Sequence, residues 1–418
     1  MNKKQMRRII VSGVFVLVLY GMIFCFFPPE DSMEKKPLIA EKVVDEENSE
    51  ATEFEFEEFD GKKDTTEQMN FYEDDSPEIK LVMVGDMLMH TRVVNSGKQE
   101  DGGYNFDHLF QEVGKDIQKA DLALVNQETI LGGEELGISS YPCFNSPYEV
   151  GDAEAKTGFD VILQATNHAL DVGAQGILND IYFWENRYPY ISCLGIYDSQ
   201  EDQDNDIFVY EKDGIKISIL NYTYGTNGIE LPSGMPFAVN YMKKEQMKRD
   251  IAKAKSMSDF VIVCPHWGTE YRLTEDESQK KWTQFFLEEG VNLVIGAHPH
   301  VIEPVKWVRN DAGQEMLVYY SLGNFVNGTE NTDGSPADRM IGGMAEVTIG
   351  YNEYGAVSVL DYGVEPIVCH MAEGSEYTVY YLKDYTEELA QKNIAKTLDA
   401  DFSLEYCNNL VNQVWGVE

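Results

Sequence analysis

The chain has 418 residues, with 72 acidic against 33 basic side chains, a formal charge of −39 and a pI of about 4.4. That excess excludes most nucleic-acid binders, which must offer Lys and Arg to displace counterions from phosphates. At 43% hydrophobic and 12% aromatic the chain is still rich enough to fold, so it is not a disordered acidic protein as a whole.

Residues 1–8 carry Lys3, Lys4, Arg7 and Arg8, and the run from Ile9 to Phe27 holds nothing more polar than Ser12 and Tyr20. Such a run is long enough to span a bilayer, and 9–27 is read as a single transmembrane anchor. A cleavable signal peptide is the rival reading, but no small-x-small site comes after the run, which ends in Phe26-Phe27-Pro28-Pro29. Cys25 stands after bulky residues where a lipoprotein signal needs small ones, so it is read as an ordinary membrane-facing cysteine. Basic residues before the run and acidic ones after it place 1–8 in the cytoplasm and the rest outside the cell.

Residues 28–78 form an acidic linker. From Glu30 to Glu78 there are 19 acidic and 5 basic side chains and no stable apolar period, which predicts a disordered, solvated tether. The alternation Glu53-Phe54-Glu55-Phe56-Glu57-Glu58-Phe59 mimics a strand, but a spacer is expected there too.

From residue 79 to 372 the pattern becomes that of an α/β domain. Apolar runs stand at Ile79 to Val84, Leu122 to Val125, Asp160 to Leu163, Ile215 to Leu220, Phe260 to Val263, Val291 to Ile295 and Met316 to Tyr320. Phe106, Leu109, Phe110, Val113 and Ile117 keep a helical period, and further helices are expected over Ala174 to Glu185, Lys243 to Ser256 and Ser278 to Glu289. Strands this apolar are covered on both faces, which predicts a layered αβ(β)α body rather than an open sheet. Residues 373–418 carry no motif and are expected to pack on the domain as a helical segment. The six cysteines match neither a disulfide framework nor a zinc knuckle.

The residues at the end of each apolar run decide the chemistry. The first run ends in Gly85-Asp86 with His90 beyond, the second in Asn126-Gln127-Glu128, and the third in Thr166-Asn167-His168 with Asp171 three residues on. Later runs end in Pro265-His266-Trp267-Gly268, Gly296-Ala297-His298-Pro299-His300 and Ser321-Leu322-Gly323-Asn324. In an α/β sheet, C-terminal strand ends lie along one edge, where ligands bind. Five of the seven histidines sit just after strands in this way. Any one of them alone would be an ordinary structural residue; together with two carboxylates and an Asn carboxamide they form a mixed N/O shell. That shell suits Mn, Fe, Co or Zn better than Ca or Mg. Seven ligands (Asp86, His90, Glu128, Asn167, His266, His298 and His300) are too many for one tetrahedral ion and about right for two divalent ions. His168 would stand beside them as an acid for the leaving group, with Asp171 orienting it. Trp267, Tyr271, Arg272 and Asn324 are the candidate substrate contacts, with Arg92, Lys306 and Arg339 as further cations.

Taken together, Gly85 to His90, Asn126-Gln127-Glu128, Thr166 to Gly173, His266 to Tyr271, Gly296 to Val301 and Ser321 to Phe325 resemble the bacterial capsule-synthesis proteins of the CapA/PgsA type, associated with poly-γ-glutamate. That family is a branch of the calcineurin-like metallophosphoesterases. The resemblance covers about residues 79 to 350 and implies a four-layer αββα metallophosphoesterase-like sandwich behind an anchor and linker. It also implies that Asp86 is the first metal aspartate and that Glu128 stands at the bridging position. Asn167 and His168 match the Asn-His pair, His266 the isolated histidine, and His298 with His300 the Gly-x-His-x-His motif. One position departs: the superfamily has Asp-x-His at the first motif, and here Leu88 stands two after Asp86. Either His90 substitutes from one turn further on, or only one metal site is fully occupied.

The expected function is a membrane-anchored, outside-facing hydrolase or transferase of capsule or poly-γ-glutamate metabolism, with an anionic polymer or a phosphoester as substrate. Two alternatives stand beside it: a non-catalytic subunit associating with a membrane polymer synthase or export complex, and a nucleotidase-like metallophosphatase. About −29 of the charge falls after the linker. A domain this acidic repels an anionic polymer at long range, so metals and a few local cations would have to hold one.

Overall fold

A computed structural model describes residues 55–58, 76–328, 334–372 and 377–416. The chain divides into two units, Met1–Ala51 and Thr52–Glu418. The expected anchor at 9–27 and most of the linker lie outside the described residues. Among those described, no helix is long and apolar enough to cross a membrane.

The described residues form fifteen strands, in chain order β1 (Glu55–Glu58), β2 (Glu78–Met87), β3 (Leu122–Asn126), β4 (Val161–Leu163), β5 (Ser192–Leu194), β6 (Phe208–Lys212), β7 (Ile215–Thr223), β8 (Phe260–His266), β9 (Leu293–Ile295), β10 (Val305–Arg309), β11 (Glu315–Tyr319), β12 (Asn324–Val326), β13 (Ile341–Tyr351), β14 (Val357–Met371) and β15 (Tyr377–Tyr381). They make two mixed sheets. One runs β1-β10-β11-β9-β8-β7-β6; the other runs β15-β14-β13-β2-β3-β4-β5, with β12 beside β2. Strands β2 to β5 are parallel, as are β7, β8, β9 and β11, so their C-terminal ends point the same way within each sheet.

The period of two in β8 shows how the sheets are layered. Phe260, Ile262 and Cys264 join the core shared with Leu81 and Met83 of the other sheet, where the sulfurs of Cys264 and Met83 are 3.8 Å apart. Val261 and Val263 face the other way, onto Met247 and Ile251 of the helix Lys244–Met257 and Phe286 of the helix Glu277–Glu289. The result is a sandwich of two mixed sheets, the first of which carries helices on its outer face. These two helices and Gly173–Arg187 lie within two residues of their expected positions. Helix Glu277–Glu289 begins with a capping box, Asp276 accepting from the Gln279 N–H at 2.8 Å while Gln279 answers the Asp276 N–H at 2.7 Å.

Three expectations need correction. Within the linker, Glu55–Glu58 is an edge strand paired antiparallel to Lys306–Arg309, so these four residues are not solvated spacer. The segment after 372 is not helical throughout: Tyr377–Tyr381, an aromatic and β-branched run, extends the sheet beside β14 before the helices Glu387–Lys392, Ala395–Leu398 and Leu404–Trp415. The period over Phe106 to Ile117 produces only the short helical turns Asp107–Phe110 and Gly114–Ile117.

Candidate metal centre

Asp86 sits at the end of β2, where Gly85 packs so closely on Gly323 that a Cβ would lie 1.9 Å from the Gly323 carbonyl oxygen. The Asp86 N–H donates to that carbonyl at 2.9 Å, which ties the first motif to Ser321-Leu322-Gly323-Asn324. The fully buried Asp86 carboxylate accepts from Asn126 Nδ2 at 2.9 Å and from the His298 N–H at 3.1 and 3.2 Å, and lies 3.1 Å from His300 Nδ1. Burial, then the nearby Glu128 charge, pushes its carboxyl up.

Glu128 stands just after β3 and is also fully buried, yet neither carboxylate oxygen has a hydrogen-bond partner. Its Oε1 stands 3.6 Å from His300 Nε2, 3.7 Å from His266 Nε2 and 4.0 Å from His168 Nε2. Burial alone would raise this carboxyl, but the charges of His300, His266 and His168 outweigh it and hold it below the usual range. Burial would likewise lower His300, but Glu128 and Asp86 raise it to about 10. His298 is pushed well down by burial and by His266 and His300, and its Nδ1 is a further buried atom with no partner.

The ligand atoms fall into three overlapping groups: two buried clusters that share Glu128 (Asp86, Glu128 and His300 in one; Glu128, His266 and His298 in the other) and a third of Glu270, His298 and His300 at the exposed edge. Asn167 Oδ1 lies 2.9 Å from His266 Nε2, beside the second. Orphaned carboxylate oxygens ringed by imidazoles at these distances leave a gap that a hydrogen bond does not fill. The residues therefore fit a divalent cation, which a carboxylate and imidazoles together satisfy.

His168 is held from the other side. Its Nδ1 is 2.7 Å from Asp171 Oδ2, the same atom that accepts the Phe144 N–H at 2.6 Å. The carboxylate thus assigns the proton to Nδ1 and directs Nε2 toward Glu128.

The cleft beside the clusters is lined by Leu88, His90, Tyr141, Phe144, His168, Glu270, Tyr271, His300, Asn324, Asn327 and Arg339. Tyr271 therefore stands where a substrate contact was expected, with the Arg339 guanidinium 4.8 Å from its ring centroid. His90 lines the cleft with its ring against Phe144 but joins none of the three groups, so it does not take the place left by Leu88. Burial, and then His300, lower its imidazole to about 3.

Asn324 reaches the cleft with its amide already committed. It donates to the carbonyls of His300 and Arg339 at 3.1 and 2.9 Å, and its Oδ1 faces His300 Nδ1 at 3.2 Å. It positions His300 and does not stand free for substrate. Trp267 is buried in the helix-side core, stacked on Tyr320 and donating to that residue's carbonyl at 2.9 Å. Arg272 is exposed beyond the cleft, its Nε 3.3 Å from Thr274 Oγ1. Of the other cations, Lys306 pairs with Glu275 at 2.9 Å, while Arg339 is buried in the cleft wall.

Three site residues escaped the sequence reading. Asn126 and Glu270 stood inside the motifs without a role. Asn227, in the loop after β7, accepts from Asn167 Nδ2 at 3.3 Å and has its own Nδ2 3.5 Å from His168 Nδ1. Asn227, Tyr271, His298 and His300 are four of the five non-glycine residues with positive φ among the described residues. Such strain concentrates where surrounding structure overrides it, typically at functional sites, and it was not readable from residue types.

The family described as bacterial capsule synthesis protein PGA_cap matches residues 80–329, which include every cluster residue. The chain belongs to that family. Its PGA_cap relatives include the capsule biosynthesis protein CapA of Bacillus anthracis, 26% identical over 262 residues, or 60% of each chain. The PGA biosynthesis protein CapA of Bacillus subtilis is 26% identical over 284 residues, 63% of this chain and 67% of that one. The chain thus spans about 60% of the length of the first relative it matches. Among solved structures, the NAD nucleotidase of Haemophilus influenzae is similar at a TM-score of 0.44 and 12% identity, over 81% of this chain and 67% of that one. The 5'-nucleotidase precursor of Thermus thermophilus is similar at 0.41 and 12%, over 70% and 54%.

Proposed function

We propose that this PGA_cap protein is a metal-dependent hydrolase or transferase of the metallophosphoesterase kind, acting in the synthesis or processing of a cell-surface polymer. Anchoring through 9–27, with the domain outside the cell, belongs to the same proposal. The observation that carries it is Glu128: a fully buried carboxylate without hydrogen bonds, 3.6 to 4.0 Å from three imidazole nitrogens. Asp86, Glu128 and His300 would hold one divalent ion, and Glu128, His266, His298 and Asn167 a second. When bound, such ions polarise a phosphoryl or carbonyl oxygen and activate water.

The protein's own groups supply the rest. His168, with Nδ1–H held by Asp171, would act as the imidazolium, giving its second proton from Nε2 to a leaving group and returning to the Nδ1–H form. Arg339, placed over Tyr271, offers a fixed cation to an anionic substrate in a domain whose net charge would otherwise repel it. Phe144 and Tyr141 wall the cleft on the His168 side and limit water there.

The test is hydrolysis of a p-nitrophenyl phosphate monoester and of the corresponding diester by the purified protein with added Mn, Fe, Co or Zn. Metal-dependent release that is lost in His298→Ala/His300→Ala supports the reading, and release of phosphate from AMP would favour a nucleotidase. A second reading, a non-catalytic subunit of a polymer synthase complex, draws on Leu88, which fills the position of an expected ligand. It would be preferred if Asp86→Ala/His168→Ala still complemented a deletion of the gene.

A further inference from the structure

The Asp86, Glu128 and His300 cluster has three protein ligands, with buried Leu88 in the wall of the cleft beside it, and His90 does not enter it. Glu270 approaches the same ground from the open side. Its carboxylate lies within 4.8 Å of ligand atoms on both His298 and His300, one histidine from each cluster. The loop that carries it is pinned to the histidine loop, the Tyr271 N–H donating to the Pro299 carbonyl at 2.8 Å. Gly268 and Tyr271, on either side, both take positive φ. That turn is what brings position 270 back over the histidines after β8 has ended at His266.

We propose that Glu270 is a metal ligand, the carboxylate that completes the cluster of Asp86, Glu128 and His300 in place of a histidine at position 88. The assignment rests on the metal-dependent reading above. It makes the two positions chemically unequal. With Asp86, Glu128 and Glu270, the first is rich in carboxylate oxygen and favours a harder ion such as Mn²⁺. The second, built on His266, His298 and Asn167, is rich in nitrogen and suits Zn²⁺, Fe²⁺ or Co²⁺. Because Glu270 is exposed, its replacement leaves the core untouched.

The experiment is Mn²⁺ titration of the full-length protein, with electron paramagnetic resonance and elemental analysis as readouts, for the unaltered chain, Glu270→Gln and Glu270→Gln/Leu88→His. The unaltered chain should bind two ions. Glu270→Gln should keep one and bind the other at least about tenfold more weakly. Leu88→His should restore the second ion in that background. Two ions bound with unchanged affinity by Glu270→Gln would overturn the assignment, whether or not the double variant folds. An unaltered chain that binds no manganese and holds no other divalent metal by elemental analysis would instead overturn the metal reading itself, so the two failures are distinguishable.

Discussion

Nδ1 of His168 lies 2.7 Å from Oδ2 of Asp171, and the same oxygen accepts the Phe144 N–H. The imidazole therefore keeps its Nδ1 proton on a carboxylate that is itself fixed by the backbone, and Nε2 is the nitrogen that can take up and hand on a second proton. If His168 protonates the leaving group, His168→Ala should lower kcat by about 10²-fold or more on an alkyl phosphodiester. On a p-nitrophenyl ester, whose leaving group needs little help, the loss should be much smaller. Asp171→Asn should show the same leaving-group dependence at reduced size, with metal content unchanged. Equal losses on both substrates would point to binding and not to proton transfer.

Metal binding should release a proton. Without metal, Glu128 and Asp86 hold the His300 imidazole up to about 10, so at pH 7 it is protonated and a cation must displace that proton. Apparent Mn²⁺ affinity should therefore rise as pH rises toward 10, by up to about tenfold per pH unit for each proton released. Calorimetry in buffers of different ionisation enthalpy measures the count directly. An affinity flat between pH 6.5 and 9 would contradict this.

Asp180 offers a pH test away from the centre. Burial raises its carboxyl to about 7, although it accepts the Leu131 N–H at 2.7 Å and Gln164 Nε2 at 2.9 Å. A carboxyl whose folded value is raised binds its proton more tightly in the folded state, so stability falls as pH rises from about 4 to about 7. Asn is isosteric with the protonated acid and keeps an acceptor for both donors. Asp180→Asn should raise the Tm at pH 8 by on the order of 5 °C and change it little at pH 4.5.

The strand-end motifs made the centre legible because a parallel strand delivers its last residues to one edge whatever loops come after it. The features that were not legible depend on direction and on non-local pairing. His266 ends β8 facing the centre, so the next side chain, Trp267, faces the opposite layer and packs on Tyr320. Asn227 and Glu270 reach the site through loops with positive φ, which residue types alone do not reveal. Likewise, the pairing of Glu55–Glu58 with β10 depends on residues some 250 positions away.

From the same alternation, Trp267→Ala should destabilise the fold by about 3–5 kcal/mol in urea unfolding. At temperatures where it remains folded, its KM should equal that of the unaltered protein. A raised KM would return Trp267 to the cleft.

Arg339→Gln should raise the KM for an anionic phosphoester by about tenfold and leave the metal content unchanged, whereas Arg339→Lys should recover part of the loss. An unchanged KM would remove Arg339 from substrate binding.

The most direct measurement is elemental analysis of the purified full-length protein beside His298→Ala/His300→Ala, after equilibration with Mn²⁺ and removal of free metal. The centre built around Glu128 predicts about two divalent ions per chain in the unaltered protein and none held by the double variant, with phosphoester hydrolysis lost in parallel. A metal-free unaltered protein, or a double variant that keeps its ions and activity, would contradict it.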